Sequence, residues 1–151
     1  MATQQKFKVD LSDYDMTPAQ KREFADLAIE RIYDRSNDGK HIDASGNRVV
    51  NMPKYSAGYA ASLDFKIAGK NKNKPDLQLS GDMLASIKLL KPLKDGVEIG
   101  FSSSDKENNG KAEGNMLGTY GSDTPNPSKA RRFLGLTPSE IKAIARVVLN
   151  G

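Results

Sequence analysis

The chain has 151 residues, with 23 Lys and Arg against 19 Asp and Glu, a formal net charge of +4 and 37% apolar residues. That is enough apolar side chain for one modest core in one domain. The absence of Cys and the presence of a single His exclude disulfide frameworks, cysteine nucleophiles, thiolate zinc sites and multi-histidine metal centres.

The opening residues, Met1 to Phe7, lack the apolar core of a secretory signal. No apolar run reaches the ~20 residues that span a bilayer, so a soluble chain made inside the cell is expected, with no membrane partner. Residues 1–16 carry isolated apolar positions (Phe7, Val9, Leu11, Tyr14) and read as an arm or an edge strand preceding a single domain over 17–151. Thr17-Pro18-Ala19-Gln20 is a helix start: Thr as cap, Pro at the first helical position, Gln closing a capping box. Phe24, Ala25, Leu27, Ala28, Ile29 and Ile32 predict a broad apolar face on a helix running to about Tyr33.

Asp34 to Gly39 reads as a turn. Its oxygen side chains at the first, third and fifth places and its Gly at the sixth imitate a calcium loop. The twelfth place holds Ser45 rather than a bidentate Glu, so no metal site is expected. Gly46-Asn47 marks a second turn, making His41 to Val50 a small hairpin or an extended excursion, with His41 exposed beside it. Pro53 leads into a second helical pattern with Tyr55, Tyr59 and Leu63 on one face, followed by the basic loop Lys70-Asn71-Lys72-Asn73-Lys74. A helical turn over Asp82–Ser86 precedes a hairpin. Ile87 to Leu93 is joined by Lys94-Asp95-Gly96 to the alternating Val97, Ile99 and Phe101, with the Asp-Gly step suiting positive backbone φ and Pro92 implying an edge or a bulge.

Residues 102–128 read as a long irregular loop in which only Ala112–Leu117 form a short helix, a loop expected to become ordered on assembly. Thr137-Pro138-Ser139-Glu140 caps a final helix, with Leu136 and Ile141 as a hydrophobic staple and Ile141, Ile144, Ala145 and Val148 as its apolar face. The fold expected is α+β: helices on one face of a small antiparallel sheet, with the irregular loop before the C-terminal helix.

No phosphate-cradling Gly-rich loop and no serine nucleophile elbow is present, so no catalytic residue, cofactor-binding residue or cofactor is assigned, and the chain is not expected to be an enzyme. Two segments stand out: Ser80-Gly81-Asp82-Met83-Leu84-Ala85-Ser86-Ile87 entering the hairpin, and Lys129-Ala130-Arg131-Arg132-Phe133-Leu134-Gly135-Leu136 entering the last capped helix. In this order, over roughly residues 20–148, they resemble the virion-morphogenesis or tail-completion proteins of tailed bacteriophages. The chain departs from that pattern at Ala130, near which the family carries Pro.

The resemblance implies a non-enzymatic subunit of the virion neck, made in the host cytoplasm. Such a subunit forms a homo-oligomeric ring joining head to tail, with connector and tail proteins as neighbours. Arg131, Arg132 and Phe133 are the candidate subunit-interface residues, since Arg and large aromatics are favoured at interfaces. Phe133 and Leu134 could equally enter the core of the single chain. Lys70, Lys72 and Lys74 are the candidates for contact with packaged DNA, against plain solvation. The competing class is a small basic nucleic-acid-binding protein using these lysines together with Arg131 and Arg132.

Overall fold

The computed structural model describes residues 3–52, 83–117 and 130–150. Over these residues the fold is α+β, as expected. A three-stranded antiparallel sheet has the order β1-β5-β4, built from β1 (Lys6–Asp10), β4 (Lys88–Leu93) and β5 (Gly96–Gly100). A separate two-stranded ribbon pairs β2 (Lys40–Ile42) with β3 (Val49–Asn51). Three helices complete it: α1 (Pro18–Asn37), α2 (Lys106–Leu117) and α3 (Pro138–Asn150). The expected helix after Pro53, the basic loop Lys70–Lys74 and residues 118–129 lie outside the described residues.

β5 runs down the middle of the sheet and is buried along its whole length. Val97 and Ile99 point into the core with Val9 of β1, and α1 packs on that side through Phe24, Ala25, Ala28 and Ile32. α3 packs against α1 and adds Ile144, Ala145 and Val148 to the same core. Residues 6–10 are therefore an edge strand with one residue, Val9, fully committed to the core.

Both strong helix starts form as their residues dictate. In α1 the Thr17 side chain accepts from the Gln20 N–H, and the Gln20 side chain accepts from the Thr17 N–H. The same reciprocal pair joins Thr137 and Glu140 at α3. Leu136 and Ile141 are both partly buried against the core.

Four features differ from expectation. α1 continues one turn past Tyr33 to Asn37, because Arg35 and Ser36 fall on its buried face and extend the apolar stripe. Asp34 to Asn37 are thus helix, and the break comes at Asp38 and Gly39, whose φ is +73. The segment 102–128 is not wholly irregular: α2 starts at Lys106, well before Ala112. Its Asn and Gly content opposes helix formation, but tertiary hydrogen bonds offset that. Buried Asn109 accepts from the Gln5 N–H at 2.7 Å and donates to the carbonyls of Ser102 and Asp105.

The third difference is in the hairpin. Its turn is Lys94-Asp95, and Gly96 is the first residue of β5, opposite both Leu93 and Asp10. Gly96 is needed for close approach rather than for φ, since a Cβ there would lie 1.9 Å from the Val9 carbonyl oxygen. Pro92 does sit on an edge strand, and a bulge falls between Leu89 and Lys91. The fourth is His41, which is buried at 3% exposure in β2.

Candidate functional site

The segment Ala130–Leu136 leads into α3, and its backbone is held at Arg131, Arg132, Phe133 and Gly135. Where α2 ends, the Asn115 carbonyl accepts from the Arg131 N–H. Along β2, the Arg132 N–H donates to His41 Nδ1 at 2.8 Å, and the Ile42 N–H donates to the Arg132 carbonyl at 3.1 Å. Arg132 thus pairs with β2 on the edge that β3 leaves free.

From α1, Arg35 reaches the segment as a fork. Its Nη2 donates to the carbonyls of Phe133 (2.7 Å) and Gly135 (2.6 Å), and its Nη1 donates to Glu140 Oε1. Arg35 and Glu140 are both buried, and Glu140 simultaneously closes the α3 capping box with the Thr137 N–H and hydroxyl. Arg31 Nε stands 3.9 Å from Glu140 Oε2 at the solvent edge of the pair. Burial pushes the Arg35 guanidinium down from its ordinary value, and the charge and hydrogen bond of Glu140 oppose that. One guanidinium therefore ties the end of α1, the Phe133 and Gly135 carbonyls and the start of α3 together.

Phe133 is fully buried, meeting Phe101 edge to face with ring centroids 6.5 Å apart. Of the two readings of Phe133, entry into the core of the single chain is the one its position favours: its ring is enclosed by its own chain, with Leu134 beside it in the core. Arg131 and Arg132 are half-buried, and their charges bear on His41. Gly135 has φ +152, and a Cβ there would meet Ile42 Cδ1 at 3.0 Å. Gly135→Ala should therefore lower stability by about 1–3 kcal/mol, mostly through backbone strain. Denaturant unfolding reads this, and an unchanged midpoint would show that the backbone can relax at that position.

Burial, then the charges of Arg132, Arg131 and Arg35, push the His41 imidazole down from 6.5 to about 4, with Asp43 pulling weakly the other way. The ring is neutral at pH 7, its proton on Nε2 and Nδ1 accepting. Because the folded value lies below the unfolded one, the unfolded chain binds this proton more tightly. Stability is complete above pH 6.5 and declines as pH falls from there toward about 4. The loss is at most about 3 kcal/mol. His41→Asn, whose Oδ1 replaces Nδ1 as acceptor, should flatten this part of the profile of urea midpoint against pH. An undiminished slope in the variant would assign the acid sensitivity to other groups.

Among the described residues a groove of about 490 Å³ runs between α1 and α3, with Val49 of β3 in its lining. Leu27, Val49, Ile144 and Val147 give it an apolar floor, and Glu30, Asp34 and Asp38 line it along α1. Val147 is 58% exposed. Of the large apolar side chains left exposed among the described residues, all but Leu117 belong to α1, β3 or α3: Tyr33, Val49, Val50, Val147 and Leu149.

Sequence reasoning missed Arg35, His41 and this groove. Arg35 was hidden inside a segment read as a turn. The available signal was the continuation of the α1 apolar stripe from Ile32 to Arg35 and Ser36, with a Gly just past the helix end at 39. Among the described residues no group of three or more His, Asp or Glu is placed to hold a metal ion, and no helix is long and apolar enough to cross a membrane. No family model, no curated protein and no solved structure matches this chain.

Proposed function

We propose that this chain is a structural subunit of a tailed-bacteriophage virion, a ring-forming neck or tail-completion protein that joins head to tail without enzymatic activity. The motif resemblance along the chain motivates the reading. The observation that carries it is that exposed apolar side chains among the described residues fall mostly on α1, β3 and α3, with Val49 and Val147 lining the groove, while the family-like segment Arg131–Leu136 is built into the subunit. Apolar surface concentrated in this way gains burial when copies assemble. The chain's only histidine is spent on a backbone hydrogen bond, which leaves it no role as a general base.

Electron cryo-microscopy of particles containing the chain tests the proposal: density for it at the head–tail junction is expected, and its absence from the particle would refute the reading. A second reading, a small basic nucleic-acid-binding protein, draws on the exposed lysines Lys6, Lys8, Lys88 and Lys91. It requires duplex binding whose affinity falls steeply with salt, each lysine contact adding about one unit to the slope.

A further inference from the structure

We propose that the α1–α3 groove receives the lysine-bearing outer face of the sheet of a second copy of this chain, in a head-to-tail contact. This rests on the ring-forming reading and names the two surfaces that meet.

The groove side presents an acidic row. Glu30 and Asp34 are exposed on α1 four residues apart, which places their carboxylates about 6 Å apart along the helix, and Asp38 follows exposed at its C-cap. Of the cations lining the groove, Arg35 is consumed by Glu140 at the base, Arg31 stands by the same carboxylate, and Lys40 lies at the β2 end. Between the charges lies the apolar floor with Val147 standing out of it.

The opposite sign is gathered on the far side of the molecule. Strand register puts Lys8, Glu98 and Lys91 in one row across the sheet, and Lys6, Gly100 and Lys88 in the next. Directly opposed residues share a face, and this face points away from the core that Val9, Val97 and Ile99 fill. All four lysines are exposed. The acids on or beside the face are Glu98, buried and paired with Lys6 at 3.4 Å, Asp10 in the third row, and Asp105, whose carboxyl feels Lys88. Lys8 and Lys91 stand directly opposite Glu98 in their row while Lys6 forms the ion pair with it, so one buried carboxylate serves three lysines and the face keeps a positive excess. Residues two apart in a strand lie about 7 Å apart, close to the repeat of the acidic row.

The two surfaces cannot meet within one chain, because the sheet and α1 lie between them. A two-fold pairing of groove on groove would set Glu30, Asp34 and Asp38 against their own copies. Groove against sheet satisfies both surfaces and repeats in one direction, the kind of contact from which rings are built when its rotation closes.

Because the chain lacks Cys, paired cysteines test the contact cleanly. In the full-length chain, Val147→Cys combined with Lys91→Cys, or with Lys8→Cys, should give a ladder of covalent multimers with a short bismaleimide, and each single variant should stay monomeric on a denaturing gel. The charge reversal Glu30→Lys/Asp34→Lys should reduce the assembled mass to that of the monomer, and adding Lys8→Glu/Lys91→Glu should restore it. Cross-linked dimers from Val147→Cys alone would overturn the proposal in favour of a two-fold contact. Double variants that fail to ladder, while the unmodified chain assembles, would overturn it and leave the ring reading standing. An unmodified chain that remains monomeric in the assembled neck and in isolation would remove both.

Discussion

Replacing Arg35 with Met should destabilise the folded chain by about 3–5 kcal/mol, the cost of leaving a buried carboxylate without its main cation. Glu140 would keep the Thr137 N–H and hydroxyl and the distant Arg31, but it would lose the only guanidinium within hydrogen-bond reach among the described residues. The carbonyls of Phe133 and Gly135 would lose their donor at the same time. Removing the charge from both partners, as Arg35→Met/Glu140→Gln, should recover part of the loss, because Gln can still accept from Thr137. Urea unfolding of the two variants reads the effect. A single variant within 1 kcal/mol of the parent chain, on the scale of an exposed pair, would mean that the fork does not hold the segment in place.

Phe133→Ala should cost about 3–5 kcal/mol of monomer stability. Its ring is fully enclosed and contacts Phe101, which is itself fully buried, so truncation opens a cavity in the middle of the core. The variant should unfold at much lower denaturant yet assemble normally at low temperature where it remains folded. Lost assembly with an unchanged unfolding midpoint would instead return Phe133 to the interface.

These two residues also show what could be read from sequence. Thr17 and Thr137 revealed their helices because a capping box is local: the cap and its partner lie three residues apart. The β4–β5 hairpin was legible for the same reason, from the alternation Val97, Ile99, Phe101 and a turn beside it. Arg35, His41 and Asn109 depend on partners far along the chain. Arg35 meets Phe133, Gly135 and Glu140, His41 meets Arg132, and Asn109 meets Gln5. Their polarity read as solvent exposure, whereas each is buried because it satisfies backbone or charge that would otherwise be stranded. The first half of α2, Lys106 to Lys111, was mistaken for loop because its Asn and Gly are poor helix formers, and the hydrogen bonds of Asn109 overrode that preference, whereas Ala112 to Leu117 was read as helix. Gly96 was read for its turn potential, when the close passage of β1 over β5 is what demands it. The groove could not be seen at all, since it joins Leu27, Val49 and Val147 from three separate elements.

The central claim is that the chain is a rigid subunit that assembles by seating the outer sheet face of one copy in the α1–α3 groove of the next. Val147→Glu tests it most directly, because Val147 is 58% exposed and its replacement should leave the monomer fold intact. Light scattering of the full-length chain across a concentration series should show a multimer for the parent and a monomer for the variant, with the same thermal midpoint for the monomeric fold. A variant that assembles to the same mass as the parent would contradict the claim.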